Sequence, residues 1–353
     1  MNRIPGGIIA WFKQQGRDLP WRQTRDPYKI WLSEVILQQT RVQQGMAYYH
    51  RFVDRFPSVR ALADASEEEV LSLWQGLGYY SRGRNLLTTA RFIATAYQGN
   101  FPSNYQELLK LKGIGPYTAA AIASFAFGEN VAAVDGNVIR VICRLFAIEE
   151  DTRLPAVQKK VASLASSLLP AGQSWEFNQA MMEFGAMLCT PSGPACGTCP
   201  VAALCESRAK GLQAKIPYKS KAASRKIRCF NYLLAECDGF FAFRCRDKKD
   251  IWQGLFEPML FESEKPFLQP QDFISAAPGL FSDSSRIRML PPQKCILSHQ
   301  EIMLSVMVLT VTDRPDLPGF RWVPEAELKK LPKPVIFSKI LPKAETAPLY
   351  LGL

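Results

Sequence analysis

Histidine is nearly missing from this chain, with only His50 and His299 among 353 residues. His50 stands in no motif, and neither residue is needed as a catalyst. Long apolar runs are missing too. No stretch approaches the roughly twenty lipid-compatible residues of a membrane-spanning helix, and Met1 to Trp21 holds no apolar core with a small-residue cleavage pattern. That argues against membrane insertion. No internal repeat or extended low-complexity tract occurs, so the chain has no repeat array. Acidic residues are under-represented: 43 Lys and Arg face 32 Asp and Glu, a net charge of +11. Such a surplus favours a polyanionic partner through phosphate attraction and counterion release. The 47% hydrophobic content and the length leave room for two ordinary cores.

Nine cysteines are an odd number for a disulfide framework. Cys143, Cys229 and Cys237 lie in apolar runs, where a buried thiol is expected, and a reducing compartment fits them best. Cys189, Cys196, Cys199 and Cys205 are different. Their C-x6-C-x2-C-x5-C spacing predicts one tetrahedral metal centre, an iron–sulfur cluster or a zinc site, in preference to two disulfides.

Residues 1–208 read as mostly helical. Asp26-Pro27 starts one helix, with the aspartate as cap and the proline in the first turn; Ile30, Trp31, Ile36 and Leu37 then supply one buried face. Ser66 with Glu69 and Asn104 with Glu107 carry the signature of a capping box. An alanine-rich segment from Thr118 to Phe127 can pack closely on its neighbours. Residues 209–225, rich in lysine, read as a linker. Beyond them, Phe230 to Ala235, Phe240 to Arg244 and Ile302 to Val311 have the composition of strands, and Asp238-Gly239 that of a turn. A second, α+β domain over 226–341 and a tail at 342–353 complete the division.

Gly113-Ile114-Gly115-Pro116 precedes the alanine-rich segment. Gly113 and Gly115 permit a tight reversal with exposed N–H groups, and the helix that follows turns its positive end outward, a combination suited to a DNA phosphate. A plain helical hairpin is the alternative. Glu34 sits among apolar residues, where poor solvation raises a carboxyl pKa as a general acid requires, although a buried polar brace has the same sequence. Asp135 has the position of a helix cap.

Together with Asp18-Leu19-Pro20-Trp21-Arg22, Gln38-Gln39-Thr40, Gly76-Leu77-Gly78-Tyr79-Tyr80, Val134-Asp135-Gly136-Asn137 and the four cysteines, this hairpin resembles the MutY-type adenine DNA glycosylases of the helix-hairpin-helix, endonuclease III superfamily. The resemblance implies an all-α glycosylase region of two subdomains, with 22–135 as the six-helix part and 1–21 plus 136–208 as the cluster part. It further implies one [4Fe-4S] cluster on Cys189, Cys196, Cys199 and Cys205. The implied substrate is double-stranded DNA with adenine opposite 8-oxoguanine or guanine, acted on by a monomer in the bacterial cytoplasm, at the nucleoid.

Site roles follow from the same resemblance. Glu34 is expected to protonate the extruded adenine, and Asp135 to stabilise the positive sugar covalently or electrostatically. Tyr117 stands where relatives that cut the backbone carry a lysine, so no Schiff base can form and a monofunctional enzyme is expected. Gln39, Thr40, Leu77 and Tyr79 match positions that approach the partner base and wedge the stack. Trp252 to Pro258 resembles the start of a Nudix-like domain, without the acidic magnesium box and hence without pyrophosphatase activity. In it Ser298, with His299, matches the loop expected to meet 8-oxoguanine. Two other readings stay open: an endonuclease III or thymine-mismatch glycosylase, discriminated by Tyr117 and the second domain, and a non-catalytic DNA-binding protein.

Overall fold

The computed structural model describes residues 3–220, 224–281 and 286–344. Twelve α-helices come first: α1 (Arg3–Gln15), α2 (Pro27–Leu37), α3 (Val42–Arg55), α4 (Val59–Ala63), α5 (Glu67–Trp74), α6 (Ser81–Ala96), α7 (Tyr105–Leu108), α8 (Pro116–Phe127), α9 (Gly136–Leu145), α10 (Pro155–Leu168), α11 (Ser174–Met187) and α12 (Glu206–Ala209). There follow β1 (Lys226–Cys237), β2 (Phe240–Cys245), β3 (Phe256–Glu257), β4 (Met259–Ser263), α13 (Pro270–Ala276), β5 (Arg286–Ile296), β6 (Gln300–Thr310), β7 (Arg321–Pro324), α14 (Glu325–Leu328) and α15 (Val335–Ala344). Two compact units result: Met1–Asp64 with Asn85–Lys221, and Ala65–Arg84 with Ala222–Leu353. The expected tail lies outside the described residues from 345 onward.

The helix starts follow their local chemistry. Asp26 accepts the Tyr28 N–H at 2.9 Å, Ser66 that of Glu69 at 3.1 Å, and Asn104 that of Glu107 at 2.9 Å. Each acceptor satisfies an N–H that the first turn leaves without an intrahelical partner. One expectation changes. Helix α2 is buried from Ile30 to Ile36 on all sides, not on one face, because its sequence carries apolar residues around the whole circumference. Glu34 and Ser33 are carried into the interior with them.

In the helical unit, Ile8, Val138, Ile142, Phe177, Met181 and Phe184 join α1, α9 and α11 in one core. The α9–α11 crossing is close: a Cβ on Gly185 would stand 2.7 Å from Asn137 Cβ. Glu183 of α11, 1% exposed, takes Arg17 Nε at 2.7 Å and Arg22 Nη2 at 2.8 Å. This ties the segment after α1 to the middle of α11. Much of the expected linker is likewise held. Ile216 is buried and its carbonyl accepts Arg144 Nε at 2.9 Å, while the Tyr218 carbonyl accepts the Thr152 N–H at 3.2 Å.

The other unit is built on a mixed sheet in the order β3-β2-β1-β6-β5, with β4 added to β1 and β7 to β2. Strands β1 and β6 run parallel through eleven paired residues and the remaining pairs are antiparallel. Asp238 and Gly239 both have positive φ, 48° and 75°, as the tight β1–β2 turn demands. Phe230, Tyr232, Phe243, Leu304, Phe337 and Ile340 form the main core of this sheet. Residues 65–84, expected in the helical half, pack here instead: Ser72 donates to the Lys330 carbonyl at 2.7 Å and Arg321 pairs with Glu68 at 2.8 Å. These partners are some 250 residues away, beyond the reach of local pattern. The α+β architecture is present, but the Nudix-like designation is corrected. The sheet and its helices define an α+β unit, and nothing beyond that architecture among the described residues supports the narrower designation.

Candidate active site

A cleft of about 510 Å³ in the helical unit is lined by Arg22, Glu34, Gln38, Gln39, Thr40, Tyr117, Asp135, Asn137, Gln179 and Met182. It gathers Glu34 from α2, Tyr117 from the first turn of α8 and Asp135 from the start of α9. Residues a hundred positions apart meet because α2 and α8 pack together and α9 follows α8 by a short loop.

Glu34 is 7% exposed. Burial drives its pKa up from 4.5 to about 7; a hydrogen bond from Tyr117 and the charge of Arg22 pull the other way, and Asp135 adds to the rise. The Tyr117 hydroxyl donates to Glu34 Oε2 at 2.5 Å and rests 3.1 Å from Met182 Sδ. Burial, then the nearby carboxylates, hold that phenol well above its ordinary range. Sequence reasoning saw in Tyr117 only the missing lysine. Its bond to Glu34 had no sequence signal, since the two lie 83 residues apart.

Asp135 caps α9: Oδ1 accepts the Val138 N–H at 2.8 Å and Oδ2 the Asn137 amide at 2.7 Å. Burial raises its pKa against these hydrogen bonds. Both oxygens are thus fixed in direction. Asn137 was quoted only as part of a motif, and Gln179 and Met182 went unread, lacking any spacing relative to Glu34.

At the rim, Gln39 is exposed with φ of 58°, a left-handed conformation unusual for a residue with a side chain. Thr40 lines the same cleft, and Gln38 reaches Thr118 Oγ1 at 3.3 Å. In the hairpin, Gly113 has φ of 77° and a Cβ there would come within 2.8 Å of Asn85 Cβ. Gly115 is different. Its φ is −88°, and open space surrounds its missing Cβ, so the reversal itself needs glycine only at 113. Gly113→Ala is therefore expected to destabilise by about 1–3 kcal/mol, read as a lower urea midpoint, with Gly115→Ala nearly neutral.

Leu77, Tyr79, Ser298 and His299 lie in the other unit. Leu77 is 7% exposed and Tyr79 is 45% exposed with φ of 46°. Ser298 and His299 occupy the β5–β6 turn, exposed, with Ser298 Oγ 3.0 Å from His299 Nδ1.

The metal expectation is corrected. Cys189, Cys196, Cys199 and Cys205 border one apolar cavity of about 30 Å³, yet among the described residues no group of three or more His, Cys, Asp or Glu is arranged to hold a metal ion, and all nine cysteines are free thiols. The residues as arranged do not fit a [4Fe-4S] cluster or a zinc ion. Arginines hold this loop: Arg140 Nε donates to the Cys189 carbonyl at 2.8 Å and Arg144 Nη1 to the Thr190 carbonyl at 2.7 Å.

Comparison with known proteins supplies the remaining observations. Residues 32–167 match the HhH-GPD superfamily of base excision DNA repair proteins, a match confined to the sequence before the sheet. An adenine DNA glycosylase of Buchnera aphidicola subsp. Baizongia pistaciae is 33% identical over 84% of this chain and 83% of its own length. The human adenine DNA glycosylase is 45% identical over 58% of this chain, which spans 39% of that relative's length. Among solved structures, a thermostable thymine-DNA glycosylase aligns with a TM-score of 0.54 at 31% identity, covering 59% of this chain and 95% of its own.

Proposed function

The chain belongs to the MutY-type adenine DNA glycosylases of the HhH-GPD superfamily, and on that footing we propose that it hydrolyses the N-glycosidic bond of adenine mispaired with 8-oxoguanine or guanine in duplex DNA, as a step of base excision repair. The observation that carries the reading is the pair of buried Glu34 and half-buried Tyr117 at 2.5 Å, facing a cleft that Asp135 shares. An acid whose pKa is about 7 holds its proton near neutrality and gives it up readily, which suits protonation of a purine leaving group. Tyr117 occupies one carboxyl oxygen and leaves the other to carry the proton.

As the base departs, the sugar becomes cationic. Asp135, with its oxygens fixed by two N–H donors, offers an oriented negative charge to that cation. Water completes the reaction, because a phenol at position 117 cannot form the imine that backbone cleavage needs. A cleft of this depth admits a base only after it leaves the stack, at a cost least for an already weak mismatch. Gln39 and Thr40 at the rim have the chemistry to read a base edge, and Leu77 and Tyr79 that of a stacking wedge.

Ser298 is proposed to distinguish 8-oxoguanine, whose N7–H donor and O8 acceptor match a hydroxyl in a way guanine does not. The setting would be the bacterial nucleoid, with the protein acting as a monomer; no described helix is long and apolar enough to cross a membrane. A single-turnover panel of mismatches tests the reading, with free base and strand scission quantified separately. Adenine release without scission before alkali is expected, and no adduct trapped by borohydride. Ser298→Ala should lower the preference for 8-oxoguanine over guanine by roughly tenfold, the worth of one or two lost hydrogen bonds. Release of thymine in place of adenine would overturn the assignment.

A further inference from the structure

The turn after α5 is strained. Gly76, Gly78 and Tyr79 all have positive φ, at 101°, 70° and 46°, and the last is a bulky residue with 45% of its surface exposed. A conformation costly for a residue with a side chain persists only where its surroundings impose it. One side chain makes several of the contacts that do so. Arg82 Nη2 donates to the carbonyls of Leu77 at 3.1 Å and Gly78 at 3.2 Å, and its guanidinium lies over the Trp74 ring at 5.2 Å and the Tyr79 ring at 5.6 Å. The Gly78 carbonyl also accepts Trp74 Nε1 at 3.0 Å.

We propose that Arg82 is a positioning residue: it fixes the Leu77–Tyr79 turn in the shape that enters the base stack, and so governs extrusion of the base without touching the reacting atoms. The inference rests on the glycosylase reading above. The flat guanidinium suits the task, since Nη2 bonds both carbonyls while the plane lies against two rings, a combination that a compact ammonium on a flexible stem does not reproduce. The group is drawn out of solvent to do so. Burial lowers its pKa from 12.5 to about 10, and it remains a cation throughout the working range. Loss of the guanidinium would let the strained turn relax, leaving Tyr79 free to swing and Leu77 without a fixed carbonyl frame.

The test separates extrusion from chemistry. Arg82→Ala and Arg82→Lys are assayed under single turnover on two duplexes, one with adenine opposite 8-oxoguanine and one with adenine opposite an abasic gap, where the base is unpaired before binding. A positioning role predicts a loss of roughly tenfold or more on the paired substrate, with the unpaired one changed by less than about twofold. The lysine variant should fall between alanine and the parent, because it keeps a cation over Trp74 but loses the flat guanidinium. A 2-aminopurine placed beside the mismatch should brighten more slowly in both variants. Equal losses on both duplexes, or none on either, would overturn the inference, and Arg82→Lys decides the matter if Arg82→Ala does not fold. An unmodified protein that releases no adenine from either duplex would instead remove the glycosylase reading itself.

Discussion

Replacing Glu34 by glutamine is expected to reduce adenine excision by roughly 10²- to 10⁴-fold, the usual contribution of a general acid, while mismatch affinity stays within about twofold. Glutamine keeps the shape and still accepts the Tyr117 hydroxyl, but it has no proton to give. The parent's own rate should fall as pH rises above about 7, where Glu34 ionises. Stability gives a second readout with a definite sign. The native carboxyl pKa is raised from 4.5 to about 7, so the native state binds more protons than the unfolded chain between those values. Its stabilisation is full below 4.5 and disappears as pH climbs through 7. Across that window the parent should lose about 3 kcal/mol relative to Glu34→Gln, measured by urea denaturation at pH 4.5 and 7.5. A stability difference that does not change with pH would mean that Glu34 is solvated in the folded protein.

Removing Glu183 should cost about 3 kcal/mol, the lower end of what deletion of one partner from a buried ion pair brings. Its carboxylate is 1% exposed and serves Arg17 and Arg22 together, and Glu183→Ala would leave the Arg22 guanidinium, 11% exposed, without its acid. The linkage here has the opposite sign to that of Glu34. Despite burial, the two arginines hold Glu183 down to about 2, so its stabilisation is present above 4.5 and is lost as pH falls toward 2. Discounted for solvent reaching Arg17, that loss is about 2 kcal/mol. Thermal unfolding of parent and variant at pH 2.5 and 5.5 should therefore show the gap closing in acid. Because Arg22 and Glu183 also line the cleft, excision should fall along with stability.

Several features were legible in the sequence for reasons of short range. Caps at Asp26, Ser66, Asn104 and Asp135 need only a side-chain acceptor within three residues of an open N–H. The reversal at Gly113 needs only a residue free to take positive φ, and the elevated pKa of Glu34 only an apolar neighbourhood on its own helix. The cysteine spacing misled. It brings four sulfurs to one cavity, yet spacing carries no information on their mutual directions or on the arginines that grip the loop. The strand positions were readable from composition, whereas the sheet order, with a parallel β1–β6 pair at its centre, was not.

By itself the sequence determined where helices begin, where the chain turns, which carboxyl group is shielded from water and why position 117 cannot form an imine. All of these depend on a residue and its immediate neighbours. Tertiary structure alone decided that Tyr117 grips Glu34, that Glu183 gathers two arginines from more than 150 residues away, and that residues 65–84 pack with the sheet. Those pairings depend on how helices and strands pack, and packing is settled by the whole set of buried surfaces at once, which no local window contains.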